Sequence, residues 1–187
     1  MKYLLATSLA LLLLLNTNDT AARELADVEI KEQIIWSEQP LILNGAGIRS
    51  KFFMDLYVGS LYLPAPAHDL TQVLQQSPAI IRLNIVSGMI TAEKMQAAIE
   101  DGFNAATHDN TSHIDDKIAQ FMALFESGVS EGDQFTFVTF SSGRVTTYKN
   151  GKAQGQFEDI AFREALLGIW LGNEPAQNSL KEAMLSL

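Results

Sequence analysis

Alternation of apolar and polar side chains is the main pattern in the first half of the chain, and it predicts β-strands. The longest alternating run covers residues 48–63, where Lys51, Asp55 and Tyr57 alternate with apolar residues, as in a strand that is buried on one face. Shorter strands are predicted at residues 29–36, 40–43 and 80–86. The first half of the chain therefore favours a sheet.

Two amphipathic helices are predicted next, because apolar residues begin to recur every three or four positions. Thr91 can cap the first helix with its hydroxyl oxygen, as threonine commonly does. Ser112 can cap the second, whose apolar stripe extends over residues 114–125 before Gly128 ends it. A shorter helix is predicted at residues 70–76.

Hairpins and two further helices complete the pattern. Strands are predicted at residues 135–140, 145–148 and 152–157. Asn150-Gly151 is a strong signal for a tight turn between the last two of these strands. Asp159 can cap the helix that follows, and a final helix is predicted from about Asn178. This order indicates an α+β domain, in which a large antiparallel sheet has helices packed on one face.

The first residues have the features of an export signal. Lys2 gives a positive start, residues 4–15 form an apolar run, and Thr20, Ala21 and Ala22 supply small side chains for cleavage, as a signal peptide requires. The apolar run is too short for a comfortable membrane span. We therefore expect residues 1–22 to be a signal peptide and residues 23–187 to be an exported, periplasmic domain; an uncleaved anchor is the alternative.

Composition narrows the possible functions. A chain of 187 residues supports one domain with a substantial core, since domains of this size bury most of their apolar surface. The net charge of −9 argues against binding nucleic acid, whose phosphates demand clustered lysine and arginine. The chain has no cysteine, which excludes disulfides and thiol chemistry.

Two segments carry a resemblance to a known family. Residues 45–49, Gly-Ala-Gly-Ile-Arg, place a glycine pair beside one arginine, and residues 155–175 predict a helix that ends in Leu-Gly-Asn-Glu-Pro. Together they resemble the chalcone isomerase family, in particular its bacterial exported branch. The resemblance covers residues 28–187 and implies an open-faced β-sandwich, in which the ligand lies in a cleft between the sheet and the helices.

The resemblance also implies which site residues this chain shares with the family. The isomerase uses an arginine with Thr, Tyr, Asn and a further Thr or Ser, and only the arginine is matched, at Arg49. The first threonine position falls on Tyr57, and the other polar positions fall near Thr91, Ala98 and Ile169. The chain is therefore more similar to the non-catalytic, fatty-acid-binding branch, which has arginine and tyrosine at these two positions.

The chemistry of Arg49 and Tyr57 suits a small amphipathic carboxylate such as a fatty acid. A guanidinium can donate two parallel hydrogen bonds to a carboxylate, and a tyrosine hydroxyl can add a third. An apolar cleft would hold the alkyl chain, at about 0.8 kcal/mol per buried methylene. On a single straight strand, however, the two residues would lie roughly 26 Å apart at ~3.3 Å per residue, and no glycine or proline marks a turn between them.

Three functional hypotheses follow from these residues. The first is a periplasmic, non-catalytic binding protein for an amphipathic carboxylate, with Arg49 and Tyr57 as ligand-binding residues. The second is an isomerase or lyase that uses Arg49, and the third is a structural or partner-binding protein whose cleft is closed. Arg49 could also pair with a distant carboxylate, and Gly45 and Gly47 could simply relieve crowding.

No cofactor and no metal site is predicted. His108 and His113 flank a short acidic stretch, but their spacing fits no standard ligand pattern. A solvated loop between two helices explains them better. The expected partner is thus a small ligand, with no nucleic acid and no stable membrane span after cleavage.

Overall fold

The computed structural model describes residues 22–187, so the predicted signal peptide lies outside the described residues except for Ala22. A large sheet dominates the fold, and its strands follow one another in chain order, each antiparallel to the next. Its strands are β3 (Gln33–Trp36), β4 (Gln39–Lys51), β5 (Met54–Leu63), β6 (Ala79–Ile85), β7 (Gln134–Thr139), β8 (Arg144–Lys149) and β9 (Lys152–Glu158). A separate hairpin consists of β1 (Ala22–Leu25) and β2 (Val28–Lys31).

Helices form a second layer on one face of this sheet. They are α1 (Leu70–Leu74), α2 (Ala92–Thr107), α3 (Asp115–Met122), α4 (Ile160–Leu171) and α5 (Asn178–Leu185), and a short 3-10 turn (Ala123–Phe125) follows α3. Their buried side chains and those of the facing strands make one continuous core. The predicted α+β class and open-faced sandwich are confirmed. No helix of residues 22–187 is long and apolar enough to cross a membrane.

Aromatic side chains fill the space between the two layers. Phe121 lies at the centre, with its ring 5.3 Å from that of Phe137 and 5.8 Å from that of Phe162. Trp170 of α4 stacks on Phe137 at 5.7 Å. Ring pairs at these distances add attraction beyond the area they bury, so the helical layer is held firmly against the sheet.

The other face of the sheet has a smaller apolar cluster of its own, which includes Val58, Tyr62 and Ile80. Ile30 of the β1–β2 hairpin covers part of it. Trp36 on β3 reaches Tyr148 on β8, with 5.2 Å between ring centres, although these strands are far apart in the sheet order. The sheet is therefore curled.

The predicted helix caps were right in two cases and wrong in one. The side chains of Thr91 and Asp159 accept backbone N–H bonds at the starts of α2 and α4, as expected. Ser112 does not cap α3: its hydroxyl bonds to Asn110, and Ile114 precedes the helix without a side-chain cap. Two acidic residues in the first turn of α3 favour that helix end instead.

The prediction of a single strand over residues 48–63 was wrong. The chain reverses at Phe52-Phe53, where both residues have positive φ, 50° and 65°, and Lys51 pairs with Met54 across the turn. Positive φ at both central positions is the geometry of a type I′ hairpin turn, which usually requires Asn or Gly. The sequence carried no such signal, so the turn could not be recognised from it.

The shorter predicted strands also have different bounds. The run predicted at residues 29–36 divides between β2, in the small hairpin, and β3, in the large sheet. The run predicted at residues 40–43 is the start of β4, which continues to Lys51. A bulge at Asn44 lets this long strand change its pairing register with β5, and such a bulge bends a strand without ending it.

Close packing of α5 on β4 explains the glycine pair. A Cβ on Gly45 would lie 2.0 Å from the carbonyl oxygen of Ala183, and one on Gly47 would lie 2.7 Å from the Ala183 Cβ. Buried Asn44 donates to the carbonyl of Met184 at 2.8 Å, and Ser186 donates to the Asn44 carbonyl. Relief of crowding is therefore a structural role of these glycines, and it sets the position of α5 against β4.

Candidate ligand-binding cleft

A cleft of about 600 Å³ lies between the β4–β5 hairpin and α2. Its lining is mainly apolar and includes Met54, Leu56, Met95, Ala98, Ile99 and Ile169. Arg49, Lys51 and Lys94 are its cationic lining residues, and Asp101 and Glu174 are its acidic ones. The cleft is partly open to solvent, so it combines an apolar interior with a small number of charged groups, as small-molecule sites commonly do.

Arg49 is a half-buried side chain of β4 that faces the cleft. Its Nη1 donates to the Oε1 of Gln177 at 3.0 Å, and the same oxygen accepts the backbone N–H of Ser50 at 3.0 Å. The Nε2 of Gln177 donates back to the carbonyl of Ile48 at 3.2 Å. Gln177 is the residue before α5, so the docked helix holds the guanidinium in place.

Arg49 has no ion-pair partner in the part of the chain that the structure describes, where the ion pairs within 4.0 Å involve Arg23, His108 and Lys149. Asp55, the nearest acidic residue along the chain, accepts a hydrogen bond from Ser50 instead, at 2.8 Å. The guanidinium therefore keeps most of its five N–H donors for another group.

Tyr57 lies directly opposite Arg49, because the two residues are a register pair of β4 and β5. Its side chain is buried, and its hydroxyl accepts a 3.0 Å hydrogen bond from the indole N–H of Trp170. Burial raises the pKa of Tyr57, and the Trp170 bond and the nearby charge of Arg49 only partly oppose this. The phenol is therefore neutral at physiological pH and remains a hydrogen-bond donor.

The orientation of this hydroxyl follows from the hydrogen bond it accepts. An indole N–H can only donate, so the phenolic hydrogen of Tyr57 must point away from Trp170. Among residues 22–187 the Tyr57 hydroxyl has no other hydrogen-bond partner. Arg49 and Tyr57 thus both line the cleft and each carries a hydrogen-bond donor, a chemistry that suits an anionic group.

Arg49 and Tyr57 are not separated as they would be on a single straight strand, because they lie opposite each other on two neighbouring strands. The hairpin at Phe52-Phe53 brings both residues to the lining of one cleft. Of the other positions suggested by the resemblance, Ala98 and Ile169 also line the cleft. Thr91 does not, since its hydroxyl caps α2 by accepting the Lys94 N–H at 3.3 Å.

Two residues that matter to this site were not predicted as part of it. Trp170 is a buried core residue, and its N–H also orients Tyr57. Gln177 had no signal beyond its place after Pro175, just before a predicted helix. Its contact with Arg49 joins positions 128 residues apart, which no local pattern can show.

Metal-ligating groups are not clustered in residues 22–187, where no set of three or more His, Asp or Glu side chains is placed to hold an ion. The Nδ1 of His108 lies 4.0 Å from the carboxylate of Glu174, and both side chains are well exposed. His113 is likewise exposed, between α2 and α3.

A meander sheet covered by helices on one face defines the open-faced sandwich class of folds. A sequence model of the chalcone isomerase-like family matches residues 22–186. The chain belongs to this family. No curated protein sequence is significantly similar to the chain.

Comparison with solved structures supports the same fold. The chain is similar to a fatty-acid binding protein of Arabidopsis thaliana, with a TM-score of 0.59 and 14% sequence identity. The match covers 82% of this chain and 96% of the plant protein. At this level of identity the comparison establishes a common fold, and the site must be argued from its own residues.

Proposed function

We propose that this protein is an exported, non-catalytic carrier that binds a small amphipathic carboxylate, of the fatty-acid type, in the cleft between sheet and helices. The observation that carries the proposal is the pairing of Arg49 with Tyr57 at one wall of an open apolar cleft. The structural similarity to a plant fatty-acid binding protein supports it.

The charges of the site favour an anionic headgroup. A half-buried guanidinium without a carboxylate partner is costly unless an anion pairs with it. The Tyr57 hydroxyl adds a neutral donor whose hydrogen points away from Trp170. The two donors would hold the two oxygens of one carboxylate, while the alkyl chain lies along the apolar side chains of α2 and α4.

The apolar lining argues against the isomerase alternative. At the positions where the resemblance expects polar groups, Ala98 and Ile169 offer only carbon to the cleft, and the Thr91 hydroxyl is used as a helix cap. General acid–base catalysis needs a positioned group of suitable pKa within hydrogen-bond reach, and guanidinium groups in general do not release their protons in proteins. The open cleft likewise disfavours a purely structural role.

Calorimetric titration of the purified protein with palmitate tests the proposal. Arg49→Ala should weaken binding by about 2–5 kcal/mol. Arg49→Lys should retain part of the lost binding free energy, because an ammonium keeps the charge but lacks the planar arrangement of donors. Arg144→Ala is the matched control, since Arg144 stacks on Phe140, 3.9 Å from its ring centre, and does not line the cleft.

The corresponding alcohol, hexadecanol, separates the headgroup from the chain. Wild type should prefer the carboxylate, and Arg49→Ala should lose most of this preference, because the stronger of the two proposed headgroup contacts is removed while Tyr57 remains. Equal preference for the acid in both proteins would remove Arg49 from the site. Conversion of a chalcone to its cyclised product, lost in Arg49→Ala, would instead support the isomerase alternative.

A further inference from the structure

The tip of the β4–β5 hairpin is the most exposed apolar feature of residues 22–187. Phe53 is fully exposed, and Phe52 beside it is 78% exposed. Met89, in the segment before α2, is 50% exposed, and both Met89 and Phe52 line the mouth of the cleft. Two adjacent phenyl rings in water are unfavourable, and the rest of the fold does not shield them.

The backbone of the tip makes this arrangement more unusual. Both phenylalanines have positive φ, a region in which side chains with a Cβ are strained. The same fold builds its β8–β9 turn with Asn150 and Gly151, whose φ values are 51° and 75°, and these are the residues that such turns favour. Phe-Phe therefore serves neither the turn nor the core, and its use points to a partner outside the chain.

Two lysines flank the exposed apolar side chains, one beside Phe52 and one beside Met89. The Nζ of Lys51 lies 5.7 Å from the centre of the Phe52 ring, and the Nζ of Lys94 donates to the carbonyl of Met89 at 3.0 Å. Asp55 is the acidic residue nearest the tip on this hairpin, and its carboxylate accepts the Ser50 hydroxyl. Apolar side chains flanked by lysines suit the surface of an anionic bilayer, where rings enter the acyl region and ammonium groups meet phosphates.

The acidic lining residues of the cleft belong to another part of its rim. Asp101 is seven positions after Lys94 on α2, about 10 Å along the helix axis. Asp101 and Glu174 also line a shallow polar depression with His108 and Asp109. The chain as a whole has a net charge of −9, so the two lysines at the tip stand out against the overall charge.

We infer that Phe52, Phe53 and Met89 form a docking surface for lipid bilayers that carry anionic headgroups. Docking in this orientation turns the mouth of the cleft toward the membrane, so that a ligand can pass between lipid and cleft without crossing bulk water. The transfer role rests on the proposed function, whereas the docking itself does not require a ligand. Two rings and two lysines provide weak, reversible attachment rather than permanent anchoring.

Flotation with vesicles tests the docking directly and without ligand. Wild type should associate with vesicles of phosphatidylglycerol and phosphatidylethanolamine, more weakly with phosphatidylcholine, and less at high salt. Phe53→Gly should reduce this association about tenfold or more, since it removes the most exposed ring. Phe53 does not line the cleft and glycine suits its φ of 65°, so the variant should fold well and keep its affinity for palmitate.

Ile35→Thr is the matched control, because Ile35 is 75% exposed and lies on edge strand β3, away from the tip. It should leave vesicle association unchanged. All proteins are prepared identically and checked by intact mass, so that the predicted signal peptide, residues 1–22, is present or absent in all alike. Equal flotation of wild type and Phe53→Gly would overturn the inference whatever the result with palmitate.

The fluorescence of a tryptophan placed at the tip gives a second readout, because it reports lipid contact at the tip itself and not contact made by a retained signal peptide. Phe53→Trp fluorescence should shift to the blue with anionic vesicles and be quenched by brominated acyl chains, and Ile35→Trp should do neither. If both probes respond alike, the tip has no special contact with lipid. Concentration-dependent self-association that Phe53→Gly abolishes, with no vesicle binding, would show that a second copy of the chain covers the tip and would also overturn the inference.

Discussion

Arg49 and Tyr57 each use one hydrogen bond to a neighbouring side chain and keep further donors for the cleft. Gln177 holds the guanidinium and Trp170 holds the hydroxyl, at 3.0 Å in both cases. Donors that are oriented before a ligand arrives lose less freedom on binding, and this improves affinity. At the residue scale, the site is therefore a pair of donors with a supporting partner behind each.

The buried phenol predicts a particular pH dependence of stability. Burial raises the folded-state pKa of Tyr57 above its ordinary value of 10.0. Below that value the phenol is protonated in both states and its contribution is constant; above it the unfolded chain loses the proton first, so the free energy of unfolding falls as pH rises. The free energy of unfolding of wild type, measured relative to that of Tyr57→Phe, should therefore fall above about pH 10.

Denaturant unfolding of both proteins, from neutral pH to about pH 11, measures this difference. The comparison isolates Tyr57, because Tyr62, whose pKa is also raised by burial, is present in both. A constant difference across the whole range would mean that Tyr57 titrates alike in the folded and unfolded chain, contrary to its burial.

Sequence reasoning identified Arg49 and Tyr57 but could not place them together. Their types and neighbours suggested anion binding, since that inference needs only chemistry and a resemblance. Their proximity depends on the reversal at Phe52-Phe53, which has no glycine, proline or asparagine to mark it. The sequence could suggest the two residues as candidates, but their proximity depends on a turn whose residues are not those that such turns usually favour.

At the scale of elements, the site depends on how closely α5 approaches β4. Gly45 and Gly47 leave room for the helix, and Asn44 bonds to the carbonyls of Ala67 and Met184, at 2.9 and 2.8 Å. With the helix in this position, Gln177 at its start reaches Arg49. Gly45 and Gly47, which the sequence suggested as part of a family motif, therefore allow the close packing of α5. Through α5 they fix the position of Gln177 beside Arg49.

Gly45→Ala should destabilise the protein strongly. The new methyl group would lie 2.0 Å from the Ala183 carbonyl oxygen, and because this atom is backbone, α5 must move away. Overpacking of this kind costs about 1–3 kcal/mol or more. Gly155→Ala is the matched control, since a Cβ there would meet its nearest neighbours at 3.5 Å, an ordinary contact.

Thermal or denaturant unfolding of the two variants measures the contrast. Gly45→Ala should also weaken palmitate binding, because displacement of α5 removes Gln177 from Arg49. Equal stability of the two alanine variants would show that α5 can shift without cost and that the approach is not tight.

Element prediction succeeded where local signals agreed and failed where they did not. Thr91 and Asp159 precede clear apolar stripes, and both cap helices as expected. Ser112 is an equally good capping residue by type, yet α3 begins three residues later. Ile114, the residue before α3, is buried in the core. Burial is a tertiary effect, which a capping preference cannot reveal.

At the scale of the whole molecule, the charge of the cleft lining differs from the charge of the chain as a whole. The chain carries 22 acidic and 13 basic residues, yet three of the basic ones, Arg49, Lys51 and Lys94, line a single cleft. A globally acidic protein repels free anions weakly at long range, and a local cluster of cations can still attract them at short range because salt screens distant charges. The same cleft is also lined by Asp101 and Glu174, so its excess of positive charge is small and local, as the proposed binding of one anionic group requires.

Export remains a prediction from residues 1–22, which lie outside the described residues except for Ala22. We expect the protein recovered from a periplasmic extract to lack Met1 to Ala22, because Thr20 to Ala22 offer small side chains at the end of the apolar run. Intact mass spectrometry measures this. A mass that includes Met1 to Ala22 would exclude cleavage at the predicted position.

The contact between Arg49 and Gln177 has a consequence for the order in which the molecule becomes active. The two residues are 128 positions apart, and the bond from Asn44 to Met184 spans 140. Closing such long loops is entropically slow and tends to come late in folding. The guanidinium is thus oriented only when α5 has docked, so the proposed site is not yet formed in a nascent chain that contains β4 and β5 but lacks α5. The site is complete, and ready for a ligand, only once the fold itself is complete.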